Sequence, residues 1–215
     1  YAADELSLSE VVDEQNITSK VFTDKFGRVV LKRQPGNTDT YYVYDNIGNI
    51  VYIIPPKALA KLPLLGPTYT TASVPDLIFQ FWYDYKNRIY RKKVPGAAEV
   101  YMVYDPLGRV VLTQDGNMKN SSKWAYVKYD NANRVIIQGI YTNSSVATTA
   151  MQAYVDNPAL VPCYTNGNHF EIRQAGASGY SNQCFPTTGT EERGYNYYDN
   201  YDFDFTTTDY RELIN

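Results

Sequence analysis

Five segments of the chain align with one another without a gap: VFTDKFGRVVLKR from Val21, YVYDNIGNIVYII from Tyr42, FWYDYKNRIYRKK from Phe81, MVYDPLGRVVLTQ from Met102 and VKYDNANRVIIQG from Val127. Each runs through an aromatic residue or Thr, then Asp, two variable positions, Gly or Asn, in four of the five Arg, and a run rich in β-branched residues. A unit that recurs commits every copy to the same local structure, so it limits the fold before any other property is considered.

The unit has a direct physical reading. Asp favours the first position of a type I turn, where its carboxylate accepts the amide two residues on. The repeated acids are Asp24, Asp45, Asp84, Asp105 and Asp130. Pro suits the next position, and Pro106 stands there in the fourth unit. The residue after the two variable positions must take positive φ to return the chain as a G1 bulge. Gly27, Gly48 and Gly108 do this freely, and Asn87 and Asn133 belong to a residue type that tolerates it. Each unit therefore reads as a β-hairpin with a three-residue loop.

Register follows from the loop. The Asp before it faces the residue after it, which pairs Asp24 with Arg28, Asp84 with Arg88, Asp105 with Arg109 and Asp130 with Arg134; Asp45 meets Asn49 and lacks a charge partner. One step further back, Tyr44 faces Ile50, Tyr83 faces Ile89, Tyr104 faces Val110 and Tyr129 faces Val135. That apolar face is expected to be buried. The other face mixes the charge pairs with Phe22, Val51, Trp82, Tyr90 and Val111, and is expected to meet neighbouring chain as well.

Between the units, PPKALAKL at 55–62 has the Pro start and helix formers of a short helix, and SVATTAMQAYVDNP at 145–158 starts at a candidate Ser cap. Residues 7–20 read as a degraded hairpin turning at DEQN. From about 160 the chain becomes loop-rich, with strand-like pieces at 169–173 and 195–199, and YNYYDNYDFDF repeats the aromatic-Asp signature without its Gly-Arg half. The expected fold is mainly all-β: successive antiparallel β-hairpins in one long twisted or curved sheet, with one or two short helical insertions. Residues 1–142 form the hairpin array, with a helical insertion near 55–62. Residues 143–215 add a helical insertion and a loop-rich continuation ending in strand 195–199.

Composition excludes several classes. With 215 residues, 44% hydrophobic and 20% charged, the chain can build a core and does not read as disordered. A net charge of −3 gives no pull towards nucleic acid or an anionic membrane. No apolar run approaches the roughly 20 residues of a membrane helix. The chain starts at Tyr1 with no visible signal peptide, which reads as a mature or excised piece. Tyrosine is abundant, with 22 copies, as suits strands and interfaces. The two cysteines, Cys163 and Cys184, are compatible with one disulfide or with two thiols.

The five units resemble the YD repeats of bacterial Rhs proteins, whose relatives include insecticidal toxin-complex shells and animal teneurins. The likeness covers roughly 20–140, and the YYDNYDF region more loosely. It implies a long β-sheet strip that spirals into a hollow shell around a C-terminal effector segment of the same polypeptide. It also implies an extracellular or cell-surface location, and that this chain is a section of something larger. Its partners would then be the rest of the parent polypeptide, with carbohydrate and edge-mediated self-association as further expectations; nucleic acid and membrane insertion are not expected. Rhs-type proteins that cleave themselves do so in an Asp-Pro-x-Gly motif at the end of the repeat core. Here Asp105-Pro106-Leu107-Gly108 lies in the middle of the array, with another unit after it, and reads as a turn.

Other chemistry is sparse. The single histidine, His169, would have to serve any Cys-His or Ser-His set, and a zinc site from Cys163, His169 and Cys184 lacks a clear fourth ligand. An acid used once per repeat is architectural rather than catalytic. No catalytic, cofactor or metal residue is assigned, and the chain is read as a scaffold rather than an enzyme. The alternative is a carbohydrate- or partner-binding adhesion module on the same sheet, for which Trp82, Trp124, Tyr180 and Tyr195 are the candidate stacking residues.

Overall fold

The structure, a computed structural model, describes residues 5–36, 38–61, 74–176 and 178–198. Among the described residues, twelve strands form one antiparallel sheet in which every strand lies beside its neighbours in the chain. They are β1 Leu6–Val12, β2 Thr18–Asp24, β3 Val29–Gln34, β4 Thr38–Tyr44, β5 Ile50–Ile54, β6 Phe79–Tyr83, β7 Ile89–Lys93, β8 Val100–Tyr104, β9 Val110–Gln114, β10 Lys123–Tyr129, β11 Val135–Thr142 and β12 Thr190–Tyr195. The all-β class expected from the repeats is the class found. The chain divides into two compact units, Tyr1–Val103 with Thr113–Ser122, and Tyr104–Leu112 with Lys123–Asn215.

Repeat turns close the hairpins β2–β3, β4–β5, β6–β7, β8–β9 and β10–β11. In the first of them the Asp24 amide donates to the Arg28 carbonyl and the Gly27 amide returns to the Asp24 carbonyl, both at 2.9 Å. The other four turns close in the same way. Positive φ falls where the repeat demands it: 77° at Gly27, 98° at Gly48, 64° at Asn87, 82° at Gly108 and 62° at Asn133. The turn at 13–16 is built alike, with Asn16 at φ 60°, but it joins β1 to β2 and so lies at the opposite end of the strands from the repeat turns.

Pairing continues from each turn as the loop dictates, with Thr23 opposite Val29, Tyr44 opposite Ile50, Tyr83 opposite Ile89 and Tyr129 opposite Val135. One step later the register slips. Val30, Val51, Tyr90 and Ile136 are extra residues, because Phe22 faces Leu31, Val43 faces Tyr52, Trp82 faces Arg91 and Lys128 faces Ile137. A β-bulge thus recurs at one step in four hairpins, where it bends the strand and adds local twist. It also changes which face is covered. The tyrosine face, expected to be buried, is buried at Tyr104 but only half-buried at Tyr44, Tyr83 and Tyr129. Three of the five turn aspartates are buried, Asp24, Asp105 and Asp130 at 5%, 1% and 8% exposed, while Asp45 and Asp84 are half-buried.

The helical insertions are short. α1, Pro56–Leu59, is one turn that starts on proline as expected and buries Ala58 against Val74 and Ile78. α2, Gly116–Asn120, was not expected from the sequence; Asp115 caps it by accepting the Met118 amide at 2.8 Å. The helix expected from Ser145 begins later, as a 3-10 turn at Thr148–Ala150 leading into α3, Met151–Val155. Asn143 takes the Ser145 amide at 3.0 Å, which makes this stretch a turn rather than a cap. Residues 169–173 are not a strand and hold one isolated bridge, Arg173 with Tyr180. β12 ends at Tyr195, where a strand at 195–199 was expected; residue 199 lies outside the described residues, as does most of YDNYDFDF.

In the second unit the segment after β11 folds back over one face of β10 and β11. Trp124 and Tyr126 are each 1% exposed beneath it, with Met151 at 0% and Val155 at 1% among its own buried residues. Gly139 marks a register shift in the pairing of β11 with β12: a Cβ there would stand 2.2 Å from the Glu191 carbonyl oxygen. Gly27 isolates the turn requirement, since a Cβ on it would meet nothing within 4 Å. Gly27→Ala is expected to cost about 1 kcal/mol, from the left-handed backbone alone, and Gly27→Asn clearly less. The two urea-unfolding midpoints measure the difference.

Candidate functional site

Two constellations gather the polar chemistry. The first is the lattice of repeat turns. Each aspartate spends one carboxylate oxygen on loop amides and the other on the residue across the hairpin. In the first turn Asp24 Oδ1 accepts the Phe26 and Arg28 amides at 2.9 and 3.0 Å, and Oδ2 accepts Arg28 Nε at 2.7 Å. Asp84 and Asp130 repeat this, and Asp105 Oδ2 lies 2.7 Å from Arg109 Nε. Asn49 replaces the arginine opposite Asp45 and donates through its side-chain amide at 2.9 Å. The structure thus brings the predicted turn residues together as five local clusters.

What the sequence reading did not foresee is how the clusters join. Within the first unit, Tyr44 Oη donates to the Val29 carbonyl at 2.8 Å and Tyr83 Oη to the Ile50 carbonyl at 3.0 Å. Within the second, Tyr129 Oη donates to the Val110 carbonyl at 2.7 Å and Tyr198 Oη to the Val135 carbonyl at 3.0 Å. In each case the acceptor is the residue after the Arg or Asn of the preceding hairpin. That arginine also lies over the tyrosine ring: Arg28 over Tyr44 at 4.9 Å, Arg109 over Tyr129 at 4.4 Å and Arg134 over Tyr198 at 4.5 Å. The positive-φ position adds a third link where it is asparagine. Asn133 Oδ1 accepts from Arg109 at 2.8 Å, and Asn87 Oδ1 accepts from Asn49. The regular Tyr-Asp dipeptide was the available signal: Asp serves its own turn and Tyr the one before.

Burial, the largest single influence, pushes the carboxyls of Asp24, Asp45 and Asp84 up, but hydrogen bonds from Arg28, Asn49 and Arg88 and from the loop amides together outweigh it and hold them below the ordinary value. A carboxyl depressed in the folded state stabilises the fold above its unfolded pKa of about 3.9, and that contribution is lost as pH falls through the folded value. Stability is therefore expected to stay level down to about pH 4 and to fall below it. NMR titration should give all three carboxyls midpoints under the model-peptide value.

The second constellation lies under the folded-back segment. Lys128, on β10, is 3% exposed, and its ammonium meets Glu171 Oε1 at 2.8 Å and Asn182 Oδ1 at 2.5 Å. Glu171, 2% exposed, also accepts Ser181 Oγ at 2.6 Å and the Gln183 and Cys184 amides at 2.8 and 2.9 Å. Arg109 fastens the same segment to the lattice by donating to the His169 carbonyl. Gln152 does so from α3, accepting from the Tyr104 amide at 2.8 Å and donating to its carbonyl at 2.9 Å.

Cys163 and Cys184 are buried free thiols. Burial pushes Cys163 up and Cys184 up to about 12, the latter helped by the Glu171 carboxylate. Both are protonated near neutrality, the reverse of an activated nucleophile. The His169 ring stacks on Tyr164 at 5.8 Å, and its Nδ1 is buried without a hydrogen-bond partner among the described residues. Among those residues no group of three or more His, Cys, Asp or Glu is arranged to hold a metal ion, and no helix is long and apolar enough to cross a membrane. An open cleft beside Cys163 presents the amide side chains of Asn166, Asn168 and Gln183.

Two of the four candidate stacking aromatics are brought together, since Tyr180 and Tyr195 both stack on Tyr197. Trp124 is 1% exposed and Tyr180 6%, so neither offers a ring face to solvent. Tyr180 stacks on Tyr197 at 5.5 Å, and Tyr195 donates to Glu192. Trp82, half-buried in the first unit, is covered by Arg91 at 3.7 Å from its ring centre.

No protein-family model and no curated protein matches the chain. Among solved structures it is similar to TcdB2-TccC3-TEV, with a TM-score of 0.44 and 14% identity over 61% of this chain. It is also similar to a Photorhabdus luminescens Tc holotoxin pore, at 0.42 and 16% over 62%, and to TcdB2-TccC3 without its hypervariable C-terminal region, at 0.42 and 16% over 60%. The chain spans 6% of the length of each. A likeness at this level carries no statement about function.

Removing one member of the buried ion pair leaves the other charge uncompensated. Lys128→Met is expected to cost about 3–5 kcal/mol. The double variant Lys128→Met with Glu171→Leu should recover only part of that, because the Gln183 and Cys184 amides lose their acceptor. Chemical denaturation of the two variants and the parent chain checks both statements.

Proposed function

We propose that the chain is a structural section of a larger extracellular or cell-surface polypeptide of the Rhs type, a YD-repeat β-sheet whose role is to enclose or present an effector segment. The observation that supports this best is the tyrosine link, in which Tyr44, Tyr83, Tyr129 and Tyr198 each donate to the carbonyl that follows the turn of the preceding hairpin. Such a rule can be continued for as many units as a polypeptide supplies, as in other repeat proteins where stability is a sum of unit and neighbour contributions. The sequence resemblance, five YD units, points the same way. The turn aspartates act in this reading as fixed structural acids, and Asp105-Pro106-Leu107-Gly108 as an uncut turn.

Two measurements test it. Tyr44→Phe, Tyr83→Phe and Tyr129→Phe should each cost about 1 kcal/mol, the worth of one hydrogen bond, and broaden the unfolding transition. The purified chain, incubated at neutral pH and followed by intact mass, should remain whole. Fragments cut beside Asp105 or Leu107, or three silent tyrosine variants, would sink the scaffold reading.

A further inference from the structure

The repeat loops of the first unit share a property that the turn chemistry does not require. Each carries one large apolar side chain at its tip, and each is strongly exposed: Phe26 at 71%, Ile47 at 73% and Tyr85 at 84%. A type I turn accepts most residues at these central positions, so polar ones would fold as well. The three tips are contiguous. A Cβ on Gly48 would lie 3.8 Å from the Arg28 side chain, and Asn49 donates to Asn87. Successive tips are two strands apart, about 10 Å, so the three side chains form a line about 20 Å long.

Charge is segregated along the same line. The carboxylates of Asp24, Asp45 and Asp84 are turned inward onto their own loop amides. The cations face out: Lys25 lies 5.4 Å from the Phe26 ring centre and Lys86 5.5 Å from that of Tyr85. The tip row is therefore apolar and basic in a chain whose net charge is −3.

We infer that this row is a docking surface for an anionic lipid surface. Its side chains protrude singly, and the loop backbones are closed on themselves by the Asp24 and Gly27 hydrogen bonds and their equivalents. That leaves no groove or strand edge for a peptide to add to. A bilayer needs neither: it takes aromatic and aliphatic tips into the headgroup boundary and draws lysines to acidic lipids. The net charge argued against such contact, but attraction at a surface acts over about one Debye length, and within it Asp24 and Asp84 are neutralised by Arg28 and Arg88, which leaves Lys25 and Lys86 against Asp45 alone.

The test is co-sedimentation of the full chain with vesicles of phosphatidylcholine and phosphatidylserine, against vesicles of phosphatidylcholine alone. The chain should pellet with the mixed vesicles and be released by salt. Phe26→Ser with Ile47→Ser and Tyr85→Ser should weaken binding more than about tenfold, with an unchanged melting temperature. Lys25→Glu with Lys86→Glu should weaken it by a similar factor, and it decides the matter should the triple variant misfold. Absence of binding, or binding that both variants retain, overturns the proposal. So does a self-associating chain that the triple variant renders monomeric, since the row would then belong to a second copy. None of these outcomes depends on the scaffold reading.

Discussion

The rest of the structure depends on one hydrogen bond, from a tyrosine hydroxyl to the carbonyl that follows the turn of the preceding hairpin. Sheet pairing alone fixes a hairpin beside its neighbour but leaves both free to slide and twist. The hydroxyl removes that freedom, because it must reach one carbonyl, and at Tyr44, Tyr129 and Tyr198 the ring also lies under an arginine. The arginine in turn is held by the aspartate of its own turn. Three side chains from two hairpins thus form one rigid joint. A single exposed charge pair contributes little; here the pairs at Asp24, Asp105 and Asp130 position the guanidiniums that cover Tyr44, Tyr129 and Tyr198.

Burial of the aspartates follows from that joint. A carboxylate under an arginine and loop amides is satisfied on both oxygens and can be covered by protein, while Tyr44, Tyr83 and Tyr129 stay half-buried. The second unit goes further and buries a complete ion pair, Lys128 with Glu171, beneath the segment that returns after β11. Charges removed from water need partners on all sides. Glu171 has four, from Lys128, Ser181, Gln183 and Cys184, so the fold of the returning segment is built around this one acid.

The turns were legible in the sequence because everything they need lies within five residues: Asp to accept, Gly or Asn for positive φ, Arg to close. The strands on either side followed from them. The joints were only half legible: the Tyr-Asp dipeptide marks the donor, but the acceptor is set by the sheet, and Tyr198 meets its carbonyl at Val135 across 63 residues. The recurrent bulge was missed for a related reason, as it depends on pairing rather than on residue type at Val30, Val51 or Tyr90. Lys128 alternates with aromatic residues as a buried position would, yet its charge suggested solvent; its partner lies in a loop 43 residues away. Trp124 shows the reverse failure, an aromatic read as a binding candidate whose burial depends on the segment folded over it.

The joint has a direction. In all four described cases the accepting carbonyl precedes the donating tyrosine in the chain: Val29 before Tyr44, Ile50 before Tyr83, Val110 before Tyr129 and Val135 before Tyr198. A ribosome releases the chain in that same order. Each of these four tyrosines therefore emerges with its docking point already made, and none has to wait for a later partner. The array can be laid down course by course during synthesis, each layer serving as the template for the next.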